Sequence, residues 1–540
     1  MHRRDLLQLG LLGSASALLP AAASAAGSAA IPAFKWPEAT VRGLRDAMAK
    51  GSVTSRGLCE AYLARIDALN LKGPELRAIL ELNPDALAIA DALDKEQKEK
   101  GPRGPLHGIP VVLKDNLDTG DKMQTTAGSL ALLGTPAKRD AFVVGRLRDA
   151  GAVILAKANL SEWANIRSTR STSGWSARGG QARNPYALDR SPLGSSSGSA
   201  IAVAADLCAV AIGTETDGSV LAPSSVNAIV GMKPTVGLVS RSGIIPISES
   251  QDTAGPMART VEDCALLLNA ICAVDPEDAA TRVSGRKQAV DYAAGLDPAA
   301  LNGARLGVVR PLFGKNPFVN ALIEKQLSRL TELGAVLVDP ISEASHVIDV
   351  PTAELNDPEL EVLLFELKDG LAKYLEKRRP DAKVKSLADV IAFNLANAEK
   401  EMPYFNQELF EKAVAKGPLS TPAYVKARDG NRKKARGAID ALIAKHKLDA
   451  LIAPTMDPAW LIDPVLGDLG TASGYSLAAV AGYPSLTVPA GMVLGLPVGL
   501  MFFGAAWSEA RLLQLGFAYE QATKHRVPPT FAASVTPRPT

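Results

Sequence analysis

Gly194 to Thr235 reads GSSSGSAIAVAADLCAVAIGTETDGSVLAPSSVNAIVGMKPT. Serine clusters flank an apolar run, AIAVAADLCAVAIG, that belongs in a core. A flexible Gly/Ser tether does not carry such a run of Ala, Val, Ile and Leu. Ser199 to Asp206 reads as a helix and Cys208 to Gly213 as a buried strand, with hydroxyls at their ends. Polar groups held at the ends of buried elements describe a site, and helix followed by buried strand describes an α/β layer.

The same grammar recurs along the chain. Residues 38–70 are predicted helical, with Thr40 and Thr54 as N-caps. Pro110 to Leu117 reads as a strand. Residues 141–150 form an amphipathic helix closed by Gly151 in a left-handed cap, and the strand Ala152 to Ala156 follows. Leu306 to Val309 and Ala335 to Val338 read as strands around a helix, and Ala450 to Ala453 and Ser485 to Val488 as two more. A last helix, Ser508 to Thr523, takes Ser508 as its N-cap. Residues 350–446 are charged and helix-rich, and are read as a helical insertion over one face of the sheet, a place for substrate selection.

At 540 residues, the chain can bury a large core without disulfides. A formal charge of +2 and no basic block with interleaved aromatics argue against nucleic acid as a partner. Cys264 and Cys272 lie on one apparent helix, about 12 Å apart along its axis and too far for a disulfide. Cys208 reads as a small apolar filler. There is no CxxC and no His pair at ligand spacing, so neither metal nor cofactor is expected. Met1 to Leu7, MHRRDLL, opens with twin arginines, and a weakly apolar run reaches Ala26. Residues 1–25 therefore read as a twin-arginine-type export signal cleaved after Ala25. The expectation is a periplasmic or secreted monomer with no stable membrane association once the signal is removed. No other segment has the roughly twenty consecutive apolar residues of a membrane span.

Several motifs in sequence order resemble the amidase signature family of serine hydrolases. They are PLHGIPVVLKDN (Pro105–Asn116), GAVILAKANLSEW (Gly151–Trp163), GSSSGS (Gly194–Ser199), GTETDGS (Gly213–Ser219) and VGMKPT (Val230–Thr235). SGIIPISESQDTAGPMART (Ser242–Thr260), DALIAPT (Asp449–Thr455) and AGYPSLTVPAG (Ala481–Gly491) continue the likeness. It covers residues 40 to 530, and TETDGS with QDTAGPMAR is most similar to peptide amidases. The resemblance implies one α/β domain over residues 38–530, with a mixed central β-sheet covered by helices on both faces. It implies hydrolysis of linear amides to acid and ammonia through an acyl-enzyme, by a Ser-Ser-Lys triad. By position Ser219 matches the nucleophile, Ser195 the bridging serine after a cis peptide bond, and Lys114 the base. The N–H groups of Thr216, Asp217, Gly218 and Ser219 match the oxyanion hole.

A lysine serves as a base only when burial pulls its pKa far below about 10.4. The apolar Pro110 to Leu113 run favours a buried Lys114, and the competing reading is a surface lysine paired with Asp115. Two departures from the family stand out. Asp217 occupies a position where many members have glycine, and Leu221 one where many have arginine. Without that guanidinium clamp for a carboxylate, a neutral, larger amide is favoured over a free amino acid. The expected substrate is a peptide C-terminal amide. The alternatives are a broad-specificity acylamidase or fatty or aryl amidase and, from another class, an amidotransferase subunit or a non-catalytic binding protein.

Three other readings of the nucleophile compete. Histidine is the usual base, and the chain has His2, His107, His346, His446 and His525, of which only His107 stands near a motif. GSSSG at Gly194 to Gly198 also fits G-x-S-x-G, with Ser196 as nucleophile. Pro185 and Pro192 precede it, which is loop chemistry rather than the strand that elbow requires. SGRK at Ser284 to Lys287 fits S-x-x-K by chance, with no KTG anywhere.

Overall fold

Thirteen short stretches become strands among the residues described by the computed structural model, which are 33–283, 290–341, 352–470 and 473–535, with residues 352–357 described by backbone only. They are β1 Ile79–Leu82, β2 Pro110–Lys114, β3 Val153–Ala158, β4 Trp175–Ser176, β5 Gly180–Gln181, β6 Val210–Glu215 and β7 Val230–Lys233. The others are β8 Thr253–Ala258, β9 Arg305–Val308, β10 Val336–Val338, β11 Ala450–Pro454, β12 Ser485–Val493 and β13 Leu496–Phe503. Eleven form one sheet in the order β1-β3-β2-β6-β8-β7-β12-β13-β11-β9-β10, and β4 pairs with β5 apart from it. Its pairings are parallel at β3-β2-β6 and at β11-β9-β10, and antiparallel elsewhere, so the sheet is mixed.

Both faces of the sheet are covered, as the alternation of side chains shows. Along β11, Ala450 and Ile452 enter one apolar cluster and Leu451 and Ala453 enter another. Along β13, Leu500 and Phe502 join the first cluster, and Met501 and Phe503 the second. A period of two, apolar on both sides, requires helices on both faces.

Near the site the chain folds as its residues direct. Helix α5, Ser197–Ala204, is buried throughout and packs between β6 and β3. It begins two residues earlier than Ser199 because Gly198 lets the first turn sit against the backbone of Ala78 and Asn159, where a Cβ would approach their carbonyl oxygens to 2.3 and 2.4 Å. Strand β2 stops at Lys114 rather than Leu117, since Asp115 and Asn116 turn away. The predicted helix over 38–70 is two helices, α1 Val41–Ala49 and α2 Ser55–Leu69, whose caps Thr40 and Thr54 accept from Gly43 and Gly57 N–H at 3.0 Å. Gly151 has φ +79°, the left-handed cap expected of it.

One expectation needs correction. Ser508 stands at the N-cap position of the helix Glu509–Thr523, but its hydroxyl donates to Ala505 O at 2.8 Å and does not cap. In the 350–446 region, the helix Thr352–Arg378 brings Leu363 to the site, while Pro422–His446 packs against Ser476–Ala481 and β9. The export signal over 1–25, the Ser284–Lys287 match, His2 and His346 lie outside the described residues. No helix among the described residues is long and apolar enough to cross a membrane.

Candidate active site

Lys114 closes β2, and the loop Thr216–Ser219 leaves β6, its parallel neighbour. The carboxyl ends of neighbouring parallel strands are where open α/β sheets gather functional groups. Ser195 arrives from the third side, just before α5, after a cis Gly194–Ser195 peptide bond. Lys114 Nζ lies 2.7 Å from Ser195 Oγ, and Ser195 Oγ lies 2.9 Å from Ser219 Oγ. The three residues matched by sequence position thus form one continuous chain of hydrogen bonds.

Lys114 is fully buried. Burial is the main cause that brings its pKa down from 10.5 to about 7, against the opposing pull of Asp252 and Glu215. Its other contacts are Thr214 O at 3.1 Å and Thr214 Oγ1 at 2.8 Å. A neutral amine has two N–H groups and one lone pair. When the two N–H groups go to Thr214, the lone pair faces Ser195. Asn116 Nδ2 donates to the same Thr214 hydroxyl at 2.9 Å and fixes it as an acceptor. Asp115 does not pair with Lys114. It lies 3.7 Å from the buried Lys157 and 3.3 Å from Arg178, which removes the surface-pair reading.

The Thr216–Ser219 loop is braced by buried acidic side chains. Glu215 Oε2 accepts from Val220 N–H at 2.7 Å and Leu221 N–H at 3.0 Å. Burial raises the Glu215 pKa, while Lys233 and loop N–H groups, including that of Gly218, oppose the rise. Asp252 Oδ1 accepts from Thr216 Oγ1 at 2.6 Å, and Gln251 Nε2 donates to Thr216 O at 3.3 Å and Glu359 Oε1 at 2.7 Å. Burial lifts Asp252 to about 6 and Glu359 to about 7. Among the described residues, the backbone N–H groups of Asp217 and Ser219 have no protein acceptor. That leaves them available to an oxyanion, whereas the Gly218 N–H is turned toward Glu215. Gly218 has φ +77°, and a Cβ there would meet the Tyr475 ring at 2.3 Å.

Ser195, Ser219, Thr216 and Asp217 open onto a cavity of about 240 Å³. Its walls mix apolar and aromatic side chains, Ile166, Leu363, Met456, Trp460 and Tyr475 among them, with polar ones that include Asn165, Asp217 and Asp468, and among the described residues neither lysine nor arginine lines it. Leu221 is buried in an apolar cluster with Leu477 and Val309, so it offers nothing to a carboxylate. Leu363 brings the 350–446 region into the wall.

The competing residues lie elsewhere. His107 precedes β2, at the opposite end of the strand from Lys114, and its Nε2 lies 3.0 Å from Leu93 O. Among the described residues, no histidine lines the cavity. Ser196 is fully buried, donates to Thr214 O at 3.0 Å and accepts from Thr214 N–H at 3.1 Å, stapling α5 to β6. Sequence reading missed Thr214, Asn116, Asp252, Gln251 and Glu359. Three of these stand in quoted motifs and Asn116 closes another, but nothing in their spacing assigns them a task.

The family profile described as Amidase matches residues 57–513. The chain belongs to the amidase family. A probable amidase of Arabidopsis thaliana is 42% identical over 528 residues, covering 97% of each chain. The native peptide amidase of Stenotrophomonas maltophilia is 50% identical, covers 92% of this chain and 100% of its own, and superposes with a TM-score of 0.86. A glutamyl-tRNA(Gln) amidotransferase subunit of Symbiobacterium thermophilum is 35% identical, covering 88% of this chain and 95% of its own. The protein is an amidase acting on amides, with the α/β mixed-sheet fold that the sequence motifs implied.

Proposed function

We propose that this amidase hydrolyses linear amides to acid and ammonia through Ser219, with Ser195 and Lys114 as its proton relay, and that peptide C-terminal amides are its substrates. The observation that carries the reading is the continuous Lys114–Ser195–Ser219 path, 2.7 and 2.9 Å per step, ending in the cavity. Neutral Lys114 takes the Ser195 proton, and Ser195 takes that of Ser219 as its oxygen attacks the carbonyl carbon. The carbonyl π electrons move to oxygen, which is met by loop N–H groups; losing one such donor typically costs about 3 kcal/mol in the barrier. When the tetrahedral adduct collapses, the C–N bond breaks and the relay returns the proton to nitrogen, releasing ammonia and leaving the acyl group on Ser219. Water then attacks the ester by the same relay to free the acid.

The peptide-amide reading rests on a cavity that holds Asp217 and Asp468 but, among the described residues, no cation to hold a carboxylate, and on the likeness to the Stenotrophomonas peptide amidase. A fatty or aryl amide would suit apolar walls too. The amidotransferase relative supports a role within a larger complex, which Leu221 opposes. We also propose that the chain is exported through residues 1–25 and acts as a monomer, which N-terminal sequencing of secreted protein and its sedimentation would check. The functional test is ammonia release by the purified chain alone from an amidated peptide, a fatty amide and an anilide. Turnover of the peptide amide without ATP or partner is expected. No release from any of the three would sink the hydrolase reading.

A further inference from the structure

A second cavity, of about 630 Å³, shares no lining residue with the one at Ser219. One wall comes from the helix Pro422–His446, where Arg428, Arg432 and Arg436 recur every fourth residue and so share one face. Tyr424, Tyr483 and Trp507 form much of the rest. Like charges at this spacing repel, and a helix face that keeps them over a concavity holds a standing positive field.

The charges around the cavity balance in number but are not paired one to one. Arg241 is held by both oxygens of Asp278, at 2.8 and 2.6 Å, and Arg428 by Asp429 at 2.8 Å. Of the lining carboxylates, Glu366 accepts from Ser248, Ser250 and Tyr424 and places its charge near Arg432 without an ion-pair contact, and Glu249 is exposed. Among the described residues, Arg432 and Arg436 have no carboxylate within ion-pair distance. Arg432 Nη2 donates to Ser250 O at 3.4 Å and Arg436 Nε to Ala481 O at 2.8 Å. Arg436 also lies over the Tyr483 ring, 5.5 Å from its centroid, which orients the guanidinium plane. Burial first, and then the flanking arginines, pull the Arg432 pKa down against the opposing effect of Glu366 and Asp429.

We propose that this cavity is a binding site for a small multivalent oxyanion, of the phosphate or polycarboxylate class, held between the guanidiniums of Arg432 and Arg436. Two guanidinium forks without a direct ion-pair partner offer donors to a ligand with several acceptor oxygens.

Isothermal titration calorimetry of the full chain at low ionic strength, with inorganic phosphate and with citrate, reads the site directly. One saturable site for at least one of these anions is expected, and which one binds assigns the class. In R432Q/R436Q the affinity should fall tenfold or more while amide hydrolysis stays unchanged. Phenylglyoxal labelling of the wild-type chain, mapped by mass spectrometry, needs no variant to fold: the bound anion should slow labelling of Arg432 and Arg436. Absence of saturable binding by both anions, equal binding by the double variant, or labelling that the anions leave unchanged overturns the proposal.

Discussion

Lys114→Met keeps an unbranched side chain of similar length in its buried slot and removes only the amine. Holding the Lys114 pKa at about 7 instead of 10.5 costs the folded chain about 5 kcal/mol at neutral pH, by order of magnitude. Against that gain for the variant, Thr214 O and Oγ1 lose a donor, an effect of about 1–3 kcal/mol. The absolute difference mixes both, and its pH dependence above about 7, past the titration of the interacting Asp252 at about 6, follows the Lys114 proton. Below about 7 the amine is protonated in both folded and unfolded chains, and the difference is flat. From about 7 to 10.5 the unfolded chain binds the proton and the folded chain does not. Wild-type stability therefore climbs relative to the variant by about 1.4 kcal/mol per pH unit through that window. Urea unfolding of both proteins, in parallel from about pH 6 to about pH 10, reads the slope after subtraction. A difference that stays constant across the window would mean the amine keeps its proton in the fold, and the base assignment would fail.

Other outcomes follow from the same geometry. The kcat/KM for a peptide amide should fall about tenfold per pH unit below about 7 and level off above it, as the neutral fraction of Lys114 does; a flat profile from pH 5 to 7 contradicts the relay. Ser219→Ala should leave no measurable turnover while circular dichroism and melting temperature stay near wild type. Ser196→Ala should lose about 1–3 kcal/mol of stability through its two bonds to Thr214, yet keep turnover; loss of all activity with the fold intact would revive the G-x-S-x-G reading. Gly218→Ala should reduce both kcat and melting temperature, because its φ of +77° and the Tyr475 ring leave no room for a Cβ; wild-type kinetics would show that the loop can move aside.

Much of the architecture near the site was legible because local chemistry and burial agree there. Thr40, Thr54 and Gly151 are caps whose geometry depends only on neighbours within a few residues. The buried helix and strand after Gly194 announce themselves by an apolar run that no surface would tolerate. Ser508 misled because its hydroxyl had a second acceptor, Ala505 O, which sequence spacing does not rank. The role of residues 350–446 was legible only as helix, since which helix meets the sheet and which one reaches the cavity with Leu363 depends on long-range packing.

Written in the residue order were the α/β class, the family motifs and the identity of Lys114, Ser195 and Ser219 as a matched set, since residue type and spacing are local properties. Left to the folded chain were the 2.7 and 2.9 Å contacts, the burial that neutralises Lys114, the braces from Asp252, Gln251 and Glu359, and the arginine-lined second cavity. Each of those joins residues from separate strands, loops and helices. Distance and desolvation between such elements exist only once the sheet has brought them together, so no reading along a single segment could supply them.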